Sequence, residues 1–387
     1  MRSIRDIPIT ENIPILVRAA LNVPVVNGKV TSDYRLRRAL PTIQYLRERG
    51  ARIILISHIT GRGTETFAPV AQALGTLVLG VSFCPETVGA RARAMIRELA
   101  PREILVLENL RRNRGERVND VAFTRELAAL GDVFVQDSFD ECHRSYASIV
   151  GVPKFLPSYA GLLLEEEVAK LARSLAPKHP ALAVIAGAKF GTKEPVLTTL
   201  LKTYDHVFVG GALASDFLKA SGQEVGKSLV SDTDQAHIKK ILSHPRLVIP
   251  TDSLVVPASA AGVSGARAQA RVASLEQVRP DEVILDSGPD TLAFLAELAR
   301  EAKTILWNGP LGKYEDGFVD ATNGFARAVA ASGAYSVVGG GDTVAAIESL
   351  GLLSRFSFVS TGGGAMLEFL ARGTLPGIDA LESHASA

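Results

Sequence analysis

The sequence predicts an α/β protein made of two domains with parallel sheets. Apolar segments typical of strands alternate with amphipathic segments typical of helices along almost all of the 387 residues. This alternation favours parallel sheets with helices on both faces. Hydrophobic residues make up 47% of the chain and charged residues 21%, which is enough apolar material for sizeable cores and unlike a disordered chain. The length corresponds to two or three domains.

The first half alternates strands and helices up to a break near residue 151. Strands are predicted at Ile15–Arg18, Arg52–Ser57, Thr76–Ser82, Ile104–Glu108 and Val133–Asp137. Helices are predicted at Arg35–Arg49, Phe67–Leu74, Thr87–Leu99 and Asp120–Ala129. Glycine and prolines interrupt the pattern at Gly151–Ser158, and a charged helix follows from Glu165 to about Leu175. A second domain is therefore expected after this helix.

The second half repeats the scheme. Strands are predicted at Ala181–Ala186, His206–Val209, Leu247–Pro250, Val283–Asp286, Thr304–Trp307, Tyr335–Val338 and Phe356–Ser360. Helices are predicted at Lys193–Lys202, Ala212–Ala220, Thr291–Ala302, Asn323–Ser332 and Thr343–Leu350. In sheets of this type, ligands bind beyond the carboxyl ends of the strands.

Glycine runs occupy three junctions between a predicted strand and the segment that follows it. They are Gly210-Gly211, Gly339–Gly341 and Gly362–Gly364. Glycine lets backbone N–H groups approach an anion closely, and the N-terminus of a helix adds a positive dipole end. Together with Trp307–Pro310, these turns predict a nucleotide held by backbone groups.

The charge is unevenly distributed along the chain. The net charge is only +1, which suggests no nucleic-acid partner, but residues 1–150 carry +5 with 20 arginines and one lysine. Arginine grips phosphate and carboxylate with a planar fork, so the first half suits a small polyanion. Arginine-rich codon usage is an alternative explanation, although it does not explain why the lysines collect in the second half.

Cysteine content and hydropathy favour a cytoplasmic protein. The two cysteines, Cys84 and Cys142, form no disulfide framework. No apolar run reaches the ~18 residues that span a bilayer, so no membrane partner is expected. Residues 1–10 lack the apolar stretch of a secretory signal. Cys142 precedes His143 and Arg144, so both a packed and a reactive thiol remain open for it.

Short motifs in a consistent order run along nearly the whole chain. They are Leu16–Arg18, Asn22–Pro24, Ala39–Ile43, Leu107–Arg111, His143-Arg144 with Ala147-Ser148, Ala188-Lys189 with Lys193, Gly226–Val230, Trp307–Pro310, Gly339–Asp342 and Ser360–Ala365. In order and spacing they resemble the phosphoglycerate kinase family. The resemblance implies two Rossmann-like domains that face a cleft and are joined by a helix and a hinge.

The resemblance also implies how the chain is divided and what each part binds. Residues 1–156 would bind 3-phosphoglycerate or 1,3-bisphosphoglycerate, with 372–387 packing back on them. Residues 157–176 would form the linker helix, and 177–371 would bind ATP or ADP with Mg²⁺. The family is usually monomeric, so a monomer is expected.

Site residues follow from the same resemblance. On the nucleotide side, Lys189 and Lys193 would contact the phosphate chain, and Asp342 would hold Mg²⁺, which is compatible with its capping the next helix. Thr343 would add a hydroxyl and Glu315 would bind the ribose. The remaining nucleotide-binding residues would be Gly187, Gly210, Gly211, Asn308, Pro310, Gly340 and Gly341.

On the substrate side, Arg35 matches the arginine at the transferring phosphoryl group. Arg111 and Arg144 match the basic groups that grip the distal phosphate. His58 and Arg62 belong to a loop with an apparent one-residue insertion, and for His58 a structural role is an equal alternative. By the same resemblance, the segment Ala20, Leu21 and Asn22 would line the acid.

The departures from the family pattern lie mainly on the substrate side. Ala20 replaces an aspartate expected to bind the substrate's 2-hydroxyl group, and Asp140, Glu141 and Tyr146 alter the segment near the proposed anion site. These changes motivate the hypothesis that recognition of 3-phosphoglycerate is weakened or altered while the nucleotide half is intact.

Two other classes of function are alternatives for a chain of this kind. A nicotinamide-dependent dehydrogenase would need a glycine fingerprint at its first βα turn, where this chain has Ala19–Asn22. A nucleotide-binding protein without catalytic activity is favoured by Ala20 and opposed by four retained residues, Arg35, Lys189, Lys193 and Asp342.

Overall fold

The computed structural model describes residues 1–59, 61, 65–188 and 190–382. The chain divides into two compact units. Unit 1 comprises Met1–Ala169 and the chain from Thr374 onward, and unit 2 comprises Lys170–Gly373. In the described part of the chain, no helix combines the length and the apolar character needed to cross a bilayer.

Unit 1 is built on a six-stranded parallel sheet with the strand order β5-β6-β4-β1-β7-β8. The six strands of this sheet are β1 (Pro14–Ala19), β4 (Arg52–Ile56), β5 (Val81–Cys84), β6 (Ile104–Leu107), β7 (Val133–Asp137) and β8 (Ser158–Ala160). Two further strands, β2 (Val25–Val26) and β3 (Lys29–Val30), form a separate short hairpin. Its helices are α1 (Tyr34–Glu48), α2 (Ala68–Leu77), α3 (Ala90–Glu98), α4 (Arg114–Val118), α5 (Val121–Ala128) and the first part of α6 (Leu162–Leu175).

Apolar residues of the central strands of unit 1 alternate between two cores. Ile15 and Val17 of β1 pack into one hydrophobic cluster, whereas Leu16 between them packs into the other. Because both faces of the sheet are buried, these strands contain nearly continuous apolar runs. Those runs are the reason that the strands could be predicted from the sequence.

Unit 2 contains a second six-stranded parallel sheet, ordered β11-β10-β9-β15-β16-β17. Its strands are β9 (Ala181–Ala186), β10 (His206–Gly210), β11 (Leu247–Val248), β12 (Asp252–Pro257), β13 (Arg271–Ser274), β14 (Glu282–Ser287), β15 (Thr304–Asn308), β16 (Tyr335–Gly339) and β17 (Phe358–Val359). Its helices are α7 (Phe190–Thr203), α8 (Ala212–Ala220), α9 (Gln235–Leu242), α10 (Pro289–Glu301), α11 (Asp320–Ser332), α12 (Gly341–Ser349) and α13 (Gly364–Arg372).

Several features differ from the sequence-based expectations, and helices α9 and α13 and strands β12 and β13 were not predicted. The strand predicted at Thr76–Ser82 is wrong in position, because α2 continues to Leu77 and the strand is Val81–Cys84, after Gly80 with φ +82°. The predicted strand Val283–Asp286 belongs to a separate antiparallel sheet with the order β13-β12-β14. The last helix, α14 (Pro376–Glu382), was not predicted; its Gly377 N–H donates to the Cys142 carbonyl within unit 1.

Asp137, the last residue of β7, binds the start of α6. Its Oδ1 accepts the backbone N–H groups of Leu163 at 2.9 Å and Leu164 at 3.2 Å. The carboxyl group is fully buried, and burial raises its pKa to about 7 against the opposing effect of these hydrogen bonds.

The Asp137→Asn variant is expected to gain stability relative to the parent as pH rises. The folded-state pKa lies above the unfolded value of about 4, so the stabilising contribution of Asp137 is complete below pH 4 and is lost as pH rises through 7. The difference in unfolding free energy, variant minus parent, should increase by roughly 2–3 kcal/mol from pH 5 to pH 8. Urea unfolding at the two pH values measures it, with the exposed Glu126→Gln as control; a pH-independent difference would contradict the expectation.

Candidate functional site

The glycine turns of unit 2 lie where its sheet reverses strand order. Numbered along the chain, the six parallel strands follow the order 3-2-1-4-5-6, and in such sheets ligands bind between the first and fourth strands, at their carboxyl ends. Here those strands are β9 and β15, which pair directly, with Asn308 opposite Ile185. Gly187 follows β9, and Asn308 ends β15. We refer to Gly187, Lys193, Asn308, Gly309 and Gly340 as the glycine-turn cluster.

Two of the turn glycines permit backbone segments to approach each other closely. Gly309 has φ +98°, and a Cβ there would lie 2.3 Å from the carbonyl oxygen of Ala186. Gly211 has φ +62°, and a Cβ there would lie 3.1 Å from the nitrogen of Gly187. A side chain would clash with backbone at Gly309 and would be strained at Gly211, so the backbone segments that follow β9, β10 and β15 lie close together.

Lys193 extends from the first turn of α7 into the glycine-turn cluster. A Cβ on Gly187 would lie 3.3 Å from Lys193 Cε, and Lys193 Nζ donates to Asn308 Oδ1 at 3.4 Å. Burial lowers the pKa of Lys193 to about 8. Within the described residues no carboxylate lies at ion-pair distance from this ammonium group. A desolvated cation near a helix N-terminus favours an anionic ligand.

The neighbouring turn adds a buried hydroxyl and an exposed carboxylate. Thr343 Oγ1 is buried and accepts the Gly309 N–H at 3.1 Å. Asp342 is exposed in the first turn of α12, whose N-cap is Gly340 with φ +103°. Asp342 is therefore not the N-cap of this helix, so the capping role that was an alternative for it is wrong.

The other predicted nucleotide-side residues divide into two groups. Gly210, Gly211 and Pro310 lie at the carboxyl ends of β10 and β15 together with the cluster, and Gly341 starts α12 after β16. Glu315 lies on an exposed 3₁₀ turn at Tyr314–Asp316, beyond the end of β15. Lys189 lies outside the described residues.

A second polar cluster lies at the carboxyl ends of β1, β4, β6 and β7 in unit 1. We define the arginine cluster as Arg18, Arg35, His58 and Arg111 with the acids Asp140 and Glu141. Arg18 is the buried centre: Nε donates to Ser148 Oγ at 3.1 Å, and Nη1 donates to the Ala19 carbonyl at 3.0 Å. A charged residue within the apolar β1 was the signal for this role, which sequence reasoning did not assign.

Arg18 also determines the protonation pattern of His58. Arg18 Nη2 lies 2.9 Å from His58 Nδ1, and because arginine can only donate, Nδ1 is the acceptor. The proton of the neutral ring is then on Nε2, which lies 3.1 Å from Glu141 Oε1. Burial, assisted by the charge of Arg18, lowers the pKa of His58. His58 is therefore neutral and held in one tautomer.

Glu141 and Asp140 pair with the two arginines expected to bind substrate. Arg111 Nη2 donates to both carboxylate oxygens of Glu141 at 3.0 Å. Arg35 Nη1 lies 3.3 Å from Asp140 Oδ2 and donates to the Asn22 carbonyl at 2.8 Å. Asp140 Oδ1 in turn accepts from Ser138 Oγ at 2.5 Å. The sequence identified both acids as departures but not these pairings.

The other residues predicted for the substrate side differ in their burial and contacts. Ala20 and Leu21 are buried after β1, with the Leu21 N–H donating to Ser57 Oγ at 3.3 Å. Arg144 is exposed and makes no ion pair among the described residues. The predicted residue Arg62 lies outside the described residues.

Two further buried groups complete the surroundings of Arg18. Glu116 accepts from Ser148 Oγ at 2.6 Å and from the Ser148 N–H at 3.1 Å, a contact that sequence reasoning missed. Cys142 is buried, and burial raises the pKa of its thiol well above the ordinary value. Of the two roles left open for Cys142, the structure favours packing.

Proteins of one family resemble this chain over almost its entire length. A family model described as phosphoglycerate kinase matches residues 4–372. The phosphoglycerate kinase of Azorhizobium caulinodans is 43% identical over 383 residues, covering 95% of this chain and 96% of the relative. The Thermus thermophilus phosphoglycerate kinase is 42% identical over 381 residues, covering 95% and 96%.

Solved structures give the same result for the fold. The structure of phosphoglycerate kinase from Coxiella burnetii is 37% identical with a TM-score of 0.81, covering 99% of each chain. The structure from Pyrococcus horikoshii is 29% identical with a TM-score of 0.88, covering 100% of each chain.

Proposed function

The chain belongs to the phosphoglycerate kinase family, and we propose that it catalyses reversible phosphoryl transfer between 1,3-bisphosphoglycerate and ADP, giving 3-phosphoglycerate and ATP. It is accordingly a phosphotransferase with a carboxyl group as acceptor. In this proposal unit 2 binds the nucleotide and unit 1 binds the acid, and the chain acts as a cytoplasmic monomer.

Phosphoryl transfer requires positioning and charge stabilisation rather than a protein nucleophile. In unit 2, backbone N–H groups of the glycine turns would surround the phosphates, and the ammonium group of Lys193 would stabilise their negative charge. Asn308 positions that ammonium group through its hydrogen bond. In unit 1, Arg35 would stabilise the transferring phosphoryl group, and the segment from Ala20 to Asn22 would line the acid.

The residues present in unit 2 fit a magnesium ion that is carried largely by the nucleotide. Within the described residues no group of three or more His, Cys, Asp or Glu side chains could hold a metal alone. Mg²⁺ is commonly bound by one or two carboxylates together with substrate phosphates and waters. The exposed Asp342 supplies such a carboxylate, and a bound ion would neutralise phosphate charge.

The proposal rests mainly on Lys193, a desolvated cation that has no acidic partner among the described residues and lies at the strand-order reversal beside the glycine turns. A coupled assay with ATP and 3-phosphoglycerate tests it directly. Turnover that depends on both compounds and on Mg²⁺ supports the proposal. Binding of MgADP without any turnover would instead favour a nucleotide-binding protein that does not act on 3-phosphoglycerate.

The second candidate is a divergent member that binds nucleotide but uses another acid or has no catalytic activity. Ala20 and the pairing of Asp140 and Glu141 with Arg35 and Arg111 favour it. These changes leave the glycine-turn cluster untouched, so nucleotide binding is expected under both candidates.

Restoring a carboxylate at position 20 is expected to improve use of 3-phosphoglycerate. Ala20 cannot accept a hydrogen bond from a hydroxyl group, and an unpaired polar group typically costs about 1–3 kcal/mol. The Ala20→Asp variant should therefore lower the KM for 3-phosphoglycerate by about 10-fold or more, with the KM for MgATP unchanged. Because Ala20 is buried, Ala20→Ser and thermal unfolding serve as controls for folding. An unchanged KM in a folded variant would refute this role.

A further inference from the structure

A carboxylate of the chain itself lies on basic groups of the predicted substrate side, among them Arg111, which the family resemblance assigns to the distal phosphate of the substrate. Glu141 pairs with Arg111 through both oxygens and lies 3.1 Å from His58 Nε2. We propose that Glu141 is a specificity-determining residue, whose carboxylate occupies these groups and weakens binding of phosphorylated acids. The inference rests on the proposed function and concerns the acid site of unit 1.

The contact of Glu141 with Arg111 and His58 is largely buried and is not a surface ion pair. The side chains of Glu141 and Arg111 are 10% and 11% exposed, and that of His58 is 2% exposed. Surface ion pairs contribute little to stability because water screens them. A pair shielded from water holds both side chains in place and occupies their hydrogen-bonding groups. Arg111 Nη2 thus donates to Glu141 the hydrogen bonds that a phosphate oxygen would otherwise accept.

Charge balance in the arginine cluster leads to the same conclusion. Two of its three arginines are already paired, Arg111 with Glu141 and Arg35, at 3.3 Å, with Asp140. His58 is neutral, and burial raises the pKa of Glu116 beside Arg18. A phosphate dianion entering the cluster therefore meets two arginines whose charge is already offset, although the first 150 residues as a whole are strongly basic.

Glu141 remains charged under ordinary conditions. Its burial by itself raises the pKa, but the hydrogen bond from His58 and the charges of Arg18 and Arg111 outweigh burial and hold the pKa well below its usual range. Mild acid consequently does not free Arg111, and the effect of Glu141 on specificity persists across the pH range of an enzyme assay.

Removing the charge of Glu141 is expected to strengthen binding of 3-phosphoglycerate. Calorimetric titration of the whole protein should give a dissociation constant about 10- to 100-fold lower for Glu141→Gln than for the parent. Glu141→Asp retains the charge and should stay within about threefold of the parent. The exposed Glu126→Gln in the same unit is the matched control, and thermal unfolding of each variant confirms that it is folded.

A double variant identifies the group that Glu141 occupies. If the gain arises because Arg111 is released, Glu141→Gln combined with Arg111→Met should lose the gain and bind no better than the parent. A gain that survives in the double variant, or one that also appears in Glu141→Asp, would overturn the proposal, as would unchanged binding in folded Glu141→Gln.

The titration separates this inference from the proposed function. Binding of 3-phosphoglycerate is measured without turnover, so tighter binding by Glu141→Gln supports the inference even if the coupled assay detects no kinase activity. Kinase activity in the parent with no change in affinity in the variants would leave the proposed function intact and reject the role of Glu141.

Discussion

Replacing Lys193 by methionine is expected to lower kcat by about 100- to 1000-fold, the usual cost of removing one preorganised group that stabilises charge in a transition state. The aliphatic part of lysine packs beside Gly187 and is largely kept by methionine, while the cation bound to Asn308 is lost. Steady-state kinetics with ATP and 3-phosphoglycerate measure the effect.

Two controls test whether the effect belongs to the charge at this position. Lys202→Met removes an exposed lysine from the last turn of the same helix and should leave kcat unchanged. Lys193→Arg retains a charge in a larger group that does not titrate and should recover part of the activity. A Lys193→Met enzyme with kcat within about threefold of the parent would exclude Lys193 from the reaction.

The pH profile gives an independent readout for Lys193. Burial lowers its pKa to about 8, so in the free enzyme the ammonium group is charged below pH 8 and loses its proton above it. The parent kcat/KM should therefore fall above pH 8, since this parameter reports ionisation of the free enzyme. The Lys193→Arg variant should not show this decrease in kcat/KM above pH 8, because arginine keeps its charge there.

The sequence was informative where the pattern of residues has one structural meaning. Fully buried runs such as Ala181–Ala186 form the central strands of the parallel sheets. The run Gly210-Gly211 lies at a strand–helix junction where Gly211 has φ +62° and a Cβ would lie 3.1 Å from the nitrogen of Gly187, a position that favours glycine. Periodicity alone could not distinguish the antiparallel β14 (Glu282–Ser287) from a parallel strand, because both contain a short apolar run.

The ion pairs between side chains of the candidate site could not be predicted from the sequence. Asp140 and Glu141 follow β7, whereas Arg35 begins α1 and Arg111 follows β6. The order of strands in the sheet brings these segments together, and that order depends on the packing of the entire unit. Residue identity alone marked the two acids as foreign to the family pattern but gave no indication that they neutralise the expected ligand-binding arginines.

Arg35 is expected to show the second large effect, a loss in kcat of about 100- to 1000-fold in Arg35→Met. The side chain is 24% exposed and is fixed by the Asn22 carbonyl at 2.8 Å and by Asp140 at 3.3 Å. A guanidinium group held in this way can stabilise a phosphoryl group without reorganising. Initial-rate measurements should show the loss in kcat, with the KM for MgATP changed by less than about threefold.

The same helix supplies the control for Arg35. Arg37 is exposed and pairs only locally with Asp33, so Arg37→Met should behave like the parent. Arg35→Lys should recover little, because a point charge cannot bind the Asn22 carbonyl, Asp140 and a phosphoryl oxygen with the geometry of a planar fork. If instead Arg35→Met raised only the KM for 3-phosphoglycerate and kept kcat, Arg35 would bind the acid equally in the ground and transition states, and the stabilisation of the transferring group would have to come from other residues.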